Sequence, residues 1–448
     1  MTQQTVDVST LINESQTSGF IKKLVFITFL LVLADGFDIS SIGVAIPGIY
    51  RSFNITDPNV GGQLIAASLV GILFGSPLFG WVGDRYGRKA AIISSCFLFG
   101  VVTWVTVFAS SAGQIMALRF VAGLGIGGLL PNVTALISEL APLRYRAAVI
   151  ILAFTGVALG GALPGLVGAA LVPAHGWPII FHIGGLFPIL VSILCIWMLP
   201  ESVKFLVQQG KGGEAVADAL TRMGVGRTVS ADAKFVIADE SRTEGWKIGE
   251  LFRDRLAIVT PLLWLLFVAN LMGYFFLLGW TPTVLQKAAN IDQSTANLAL
   301  FALQMGGVAA GLLMFWFRLM ERHGILPVVI FFAMAVPTVA GIGYAASTQS
   351  VGLLFVLQFI AGICCLGVQF SINAMSGMIY PTAVRSSGSG SALGVGRLGS
   401  IVGPIVGGAL LAQQLPVDKL YLYASAPFAV GCVAAMVMMR FYKRPLIA

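Results

Sequence analysis

The chain has 448 residues, of which 57% are hydrophobic and only 10% charged, where a soluble domain carries about 25% charged residues. This composition excludes a soluble enzyme or a solvated binding module and points to a polytopic membrane protein. The net charge of +8 would suit nucleic acid, but the placement of the charges gives it another cause.

The opening stretch, MTQQTVDVSTLINESQTSGFIKK, is polar and has no apolar core of signal-peptide type, so the first span is expected to persist in the mature protein. Apolar segments long enough to cross a bilayer, about 20 residues each, follow at 24–49, 60–82, 90–110, 114–138, 147–172 and 179–199. Residues 200–256 are charged, partly amphipathic and too polar to span. Six further segments run over 257–281, 295–317, 325–346, 350–374, 386–411 and 420–441. The expected fold is an all-α membrane protein of 12 transmembrane helices in two pseudo-symmetric six-helix bundles. Residues 1–199 make the first bundle with its N-terminal tail, 200–256 a central loop, and 257–448 the second bundle.

With the N-terminus in the cytoplasm, 22 of the 27 Lys and Arg fall on the cytoplasmic side, three (Arg51, Lys287, Lys419) fall outside, and two (Arg119, Arg397) lie within spans. That asymmetry follows the positive-inside rule and predicts cytoplasmic termini. It accounts for the basic balance without nucleic acid. The five cysteines sit in apolar runs with no C-x-x-C spacing and read as small buried hydrophobes. His175, His182 and His323 read as structural. No metal-ligand cluster, cofactor motif or nucleotide-binding loop is present in the sequence, so neither an enzyme nor an ATP-driven pump is expected.

The halves repeat. DRYG (84–87) follows the second span and ERHG (321–324) the eighth, while APLRYR (141–146) follows the fourth and YPTAVR (380–385) the tenth. Duplicated halves of this kind build secondary transporters, which rock two bundles about a midplane site.

Four groups of residues carry the candidate chemistry. The first is DGFD in the first span. Asp35 and Asp38, three apart, share one helix face at roughly 16–21 Å along the helix, near mid-membrane. Two carboxylates this close in a low dielectric do not both ionise readily, which suits a proton relay; the competing reading is a structural ion pair with Arg119 or Arg397. The second is Arg397, in GVGRLGSIVGP, at a similar depth in the other half. Its planar fork suits a substrate carboxylate, leaving Arg119 as the charge partner of the acids. The third comprises pocket side chains: Asn270 and Tyr274 in the seventh span, Gln304 in the eighth, and Gln369 and Asn373 in the tenth, with Phe37, Phe154 and Trp280 available to stack on a ring. The fourth is the turn GDRYGRK, where Asp84 could hold a neighbouring helix N-terminus and Arg85 and Arg88 supply bases. Glu321 and Arg322 are their counterparts in the second half, and all five form an expected conformational gate.

GWVGDRYGRKA resembles the signature loop of the major facilitator superfamily, G-x-x-x-D-R-x-G-R-[KR], with ERHG as its degenerate copy. RFVAGLGIGG (119–128) is similar to the R-x-x-x-G-x-G pattern of its proton-coupled members, and PESVKFL (200–206) to the pattern that ends the sixth helix in many of them. DGFD, LLPNVTALISELAP, GWTPTVL and YPTAVRSSGSG…GRLGSIVGP together resemble the aromatic acid:proton symporter family. That resemblance implies import of benzoate-like, hydroxybenzoate-like or phenylpropanoid-like anions with protons across a bacterial inner membrane. It implies functional importance for Asp35, Asp38, Arg119, Glu139 and Asp84, with Glu139 grouped among the proton-coupling residues. The expected partners are an aromatic carboxylate, protons and the lipid bilayer, with a monomer as the working unit and no cofactor. Export of drugs or organic acids on the same fold, and a membrane sensor of aromatic acids, are the alternatives.

Overall fold

A computed structural model describes residues 5–14, 18–210, 213–223, 234–236, 248–253, 255–317, 323–380 and 384–441. Twelve of its helices are long and apolar enough to cross a membrane. They are α1 (Ser18–Ser52), α2 (Asn59–Tyr86), α3 (Arg88–Val105), α4 (Ala112–Leu140), α5 (Leu143–His175) and α6 (Pro178–Met198), then α7 (Leu256–Ala288), α8 (Gln293–Phe317), α9 (Leu326–Ser347), α10 (Val351–Ile379), α11 (Arg385–Ala412) and α12 (Val417–Phe441). Most run past the predicted apolar segments because backbone hydrogen bonding continues into the polar turns at the membrane surface. α1, for example, begins at Ser18 rather than residue 24. Ser111 caps α4 by accepting the Gln114 N–H at 3.3 Å, and Gly176, at φ +72°, ends α5.

The outward faces are apolar, with Phe74, Trp81, Trp197 and Trp316 all more than half exposed. In a membrane these side chains meet lipid. Helices pair most of their backbone polar groups internally, as hydrocarbon requires. Prolines inside helices, such as Pro47 in α1, Pro131 in α4 and Pro404 in α11, are tolerated in that setting.

Between α6 and α7 the described residues form two short helices, Val203–Gln208 and Gly213–Arg222, a strand, Lys234–Val236, and a 3-10 turn, Ile248–Phe252. The strand pairs in parallel with Thr5–Asp7 near the N-terminus. The segment expected as a loop is therefore partly ordered, and it ties the N-terminal tail to the link between the bundles.

Helices α1–α6 and α7–α12 form two bundles that meet along three seams, α1 with α7, α2 with α11, and α5 with α8. The approach is close enough to need glycine. A Cβ on Gly43 of α1 would lie 2.6 Å from the Leu278 carbonyl oxygen of α7, and one on Gly62 of α2 would lie 2.6 Å from that of Pro404 on α11. Farther along the α5–α8 seam, Ser294 Oγ donates to the Ala169 carbonyl at 3.0 Å, and Arg51 Nη2 of α1 donates to Gln293 Oε1 of α8 at 3.2 Å. All these contacts lie on the half of the helices remote from both termini. On the opposite half, Gly377, Gly390 and Gly394 face open space. The bundles thus make their close glycine contacts on the half remote from the termini.

Candidate functional site

Asp38 and Arg119 form a closed pair in the first bundle. Arg119 is fully buried on α4 and Asp38 is 2% exposed on α1. Arg119 Nη1 donates to both Asp38 oxygens at 3.1 Å. Thr103 of α3 completes the arrangement. Its hydroxyl donates to Asp38 Oδ1 at 2.7 Å and accepts from Arg119 Nη2 at 2.6 Å. The guanidinium also lies over the Phe181 ring of α6, 4.9 Å from its centroid, a cation–π contact in a dry setting. Thr103 and Phe181 carried no signal in the sequence, since an apolar helix holds many threonines and phenylalanines.

Asp35, one turn earlier on the same face, differs from Asp38. It is fully buried, yet neither carboxyl oxygen has a hydrogen-bond partner. Arg397 lies on α11, in the other bundle. Arg397 is half-buried and makes no ion pair within 4 Å among the described residues.

The amides and phenol of the second bundle are joined to one another. Asn270 Nδ2 of α7 donates to Gln369 Oε1 of α10 at 3.0 Å, and Gln369 Nε2 donates to Asn373 Oδ1 at 3.3 Å. The chain runs from a fully buried Asn270 to an exposed Asn373. Tyr274 donates its hydroxyl to Gln304 Oε1 of α8 at 2.8 Å. The Gln304 amide nitrogen in turn lies against Gly161 of α5, beside Ser40 of α1. This cluster meets the first bundle where α5 and α8 pack.

Two expected stacking residues are placed elsewhere. Trp280 is fully buried, donates Nε1–H to the Pro404 carbonyl at 2.9 Å and packs against Gly407, so it pins α7 to α11. Phe37 is 3% exposed and packs against Gly184 of α6, inside the first bundle. Phe154 is half-buried on α5.

The signature turn is also rearranged relative to expectation. Asp84 does not reach another helix end; it pairs with Arg88 at 2.7 Å and its side chain is 71% exposed. Arg88 Nε also donates to Glu139 Oε1 at 3.4 Å. Glu139 therefore sits with this turn and apart from Asp35 and Asp38: it lies twenty residues beyond Arg119 on α4, about 30 Å along the helix. Arg85 lies near the rings of Trp81 and Tyr86, at 5.7 and 5.9 Å. The helix-capping role falls to Glu201, the acid of PESVKFL. Its Oε1 accepts the backbone N–H of Lys89 at 3.1 Å and of Ser202 at 2.9 Å. Burial raises its carboxyl pKa above the usual value. Gly87, at φ +104°, turns the chain into α3, and a Cβ there would collide with the Glu201 carboxylate. The pattern was visible in the sequence, but the partner it caps is a hundred residues away. Glu321 and Arg322 lie outside the described residues.

Twelve spans, duplicated halves meeting along three seams, and buried charges at their centre define a secondary transporter. Residues 28–348 and 263–446 match the sequence profile described as Major Facilitator Superfamily, and the chain belongs to that superfamily. It is 30% identical to the 4-hydroxybenzoate transporter PcaK of Pseudomonas aeruginosa over 96% of this chain and 95% of that protein. It is 31% identical to the 3-(3-hydroxy-phenyl)propionate transporter of Escherichia coli K12 over 95% of this chain and 96% of that one. The fold superposes on a partially occluded, inward-open structure of the xylose transporter XylE from E. coli with a TM-score of 0.72, at 16% identity, covering 95% of this chain and 100% of that chain. The protein is thus a multi-pass membrane transporter and not an enzyme.

Proposed function

We propose that the protein imports aromatic carboxylates together with protons by alternating access. It would sit in a bacterial inner membrane with both termini in the cytoplasm, and the two six-helix bundles would be its moving bodies. The observation that carries the reading is Arg397. It is a half-buried guanidinium that makes no ion pair within 4 Å among the described residues, in a part of the membrane where an unpaired charge is costly. A planar carboxylate matches its fork. The substrates named for the two relatives are aromatic acids, which supports an aromatic anion as the ligand. The basic loops on the termini side support a cytoplasmic placement of that side. The close seams then lie toward the outside, and alternating access would open that surface to load the anion and the opposite one to release it.

In this reading Asp35, Asp38 and Arg119 carry the coupling and Arg397 holds the carboxylate. The Asn270–Gln369–Asn373 chain and the Tyr274–Gln304 pair supply neutral hydrogen bonds to the ring substituents. Asp84, Arg88, Glu139 and Glu201 govern the cytoplasmic gate.

The test is uptake of labelled 4-hydroxybenzoate into proteoliposomes with an imposed pH gradient. Accumulation driven by an alkaline interior and abolished by an uncoupler is expected. Accumulation only under the reverse gradient would make the protein an exporter, and absence of any pH dependence would remove the proton from the cycle.

A further inference from the structure

At the face remote from the termini, the bundles meet largely through glycine against backbone, as at Gly43 and Gly62. Contacts of that kind are held by dispersion, which is weak for each atom pair. Some side chains reach across with polar groups. Ser294 and Arg51 make the hydrogen bonds described above. Lys287, in the last turn of α7, makes a contact of another kind. Its ammonium lies over the Tyr50 ring of α1, 4.0 Å from the centroid, well inside cation–π range.

The two partners differ in how they are held. Tyr50 is a fixed platform, 3% exposed. Its hydroxyl donates to the Pro58 carbonyl at 2.8 Å and accepts the Gly61 N–H at 2.9 Å, both at the start of α2. Two residues on, Ser52 Oγ accepts the Nε1–H of Trp177, just before α6, at 2.9 Å. All these ties lie within the first bundle, so the ring moves with it. Gly61 is wedged between the Tyr50 hydroxyl and the Trp280 ring of α7, and a Cβ there would meet both. Lys287 belongs to the second bundle and is exposed on a long stem. Among the described residues, no carboxylate lies within 4 Å of its ammonium. Two acids of this face are engaged locally: Asp57 accepts from Asn59 at 2.9 and 2.8 Å, and Asp292 accepts the Thr295 N–H at 2.9 Å.

We propose that Lys287 on the Tyr50 ring is the latch of this face: the contact forms when the bundles close here and breaks each time they part. The inference rests on the alternating-access reading above and names the side chains that set the balance between its two states. The chemistry suits a contact that must open in every cycle. A released ammonium at an exposed helix end is rehydrated, and the ring it leaves carries no charge. Breaking a buried ion pair would instead leave two uncompensated charges. The attraction is modest, so it favours closure without locking it. The glycines let the backbones approach, and the ammonium on the ring adds the attraction that their contacts lack.

The test is the distance distribution between spin labels at exposed Thr56 and Gln413, on opposite bundles at this face, in the purified full chain in lipid nanodiscs. It is recorded with and without 4-hydroxybenzoate and over a pH series. Lys287→Gln removes the charge at an exposed position. The ratio of parted to closed molecules should then rise roughly two- to fivefold, the worth of one such contact. Lys287→Arg, whose guanidinium also stacks on aromatic faces, should stay near the wild-type ratio. Tyr50→Leu removes the ring, and adding Lys287→Gln to it should change nothing further, a non-additivity that separate structural roles would not produce. If Tyr50→Leu fails to fold, the Gln and Arg variants at Lys287 decide between them. A second distance whose share is the same in wild type and Lys287→Gln, an equal shift in Lys287→Arg, or additive effects of the two sites would overturn the latch alone. If no condition produces a second distance in the wild type or any variant, the bundles do not part at this face, and the alternating-access reading falls with the latch.

Discussion

Glu201, just past the end of α6, accepts the backbone N–H of Lys89 at 3.1 Å in the first turn of α3. Lys89 answers with its ammonium, which donates to the Ile196 carbonyl at 2.7 Å in the last turn of α6. An acid at a helix N-terminus and a base at a helix C-terminus are each in the favourable orientation for the helix dipole. The contact stitches α3 to α6 at the surface that carries the signature turn.

This carboxyl gives the first prediction. Burial raises its pKa above the usual 4.5. The folded state then binds the proton more readily than the unfolded chain does. The associated stability is present in full below the unfolded pKa and is lost as pH rises through the folded one. Glu201→Gln has no such proton to lose. In detergent melts, the stability of wild type relative to Glu201→Gln should therefore decline as pH rises above 4.5. Glu201→Ala should be less stable than either by about 1 kcal/mol, the usual worth of a cap. A pH-independent gap between wild type and Gln would contradict the buried setting of the carboxyl.

Asp292 predicts the opposite sign. Its Oδ2 accepts the Thr295 N–H at 2.9 Å and caps α8. Backbone and side-chain hydrogen bonds from Thr295 hold its pKa below the usual 3.8. The stabilisation is present above the unfolded pKa and is lost as pH falls through the folded one. Asp292→Ala should cost about 0.5–1 kcal/mol at neutral pH, and the difference in melting should shrink as the pH drops below 3.8. Because the residue is exposed, salt should screen its charge–dipole contribution.

Much of the fold was legible because a bilayer dictates helix length and hydropathy. Twelve spans and the duplicated halves followed from apolar runs and interrupting charges. Tertiary direction was not legible. An apolar helix is buried on one face by protein and on another by lipid with the same residues, so hydropathy could not say that Phe37 and Trp280 pack within the protein. Nor could it say that Asp35 and Asp38, alike in sequence, would have unlike neighbours. Arg119 and Thr103 make the difference between them, and while Arg119 stood out in the sequence, nothing marks Thr103 among the other threonines. Glu139 was assigned by family resemblance to the coupling acids. Its distance along α4 from Arg119 could have been counted from the sequence and would have moved it to the signature turn.

The Asp38–Arg119 pair predicts strong non-additivity. Removing one partner leaves a buried charge uncompensated, at a cost of about 3–5 kcal/mol. Asp38→Asn or Arg119→Gln alone should destabilise the protein by that order, while the double variant should recover much of the loss. Thermal unfolding of the four species in detergent closes the cycle. Additive single effects would mean that the two charges are not directly coupled.

The outer seam predicts a conformational bias. A Cβ on Gly62 would press on the Pro404 carbonyl and on Cα of Ile405, at 2.6 and 3.1 Å. Gly62→Val therefore opposes closure of that surface and should shift the population toward the state open on the side remote from the termini. Spin-label pairs across α2 and α11 should report a longer distance there. Aqueous thiol reagents should reach cysteines introduced beside the seam faster than in the parent. Unchanged distances would mean that the seam absorbs the extra bulk without parting.

Arg397 predicts a ligand-selective defect. A guanidinium offers a carboxylate two parallel donors in one plane, whereas an ammonium offers a point charge with rotating donors. Arg397→Lys keeps the charge, but the fork is lost. Affinity for 4-hydroxybenzoate should fall by roughly tenfold, about 1.4 kcal/mol. Affinity for 4-hydroxybenzamide, which lacks the anionic fork partner, should change much less, although it starts weaker. The comparison is informative because both ligands carry the same ring and hydroxyl, so contacts with the Tyr274–Gln304 and Asn270–Gln369 groups are common to them. Thermal-shift titrations of both ligands against both proteins give the four values. Equal loss for acid and amide would mean that Arg397 shapes the cavity without holding the carboxylate. Loss confined to Arg119 variants would move the carboxylate to the first bundle.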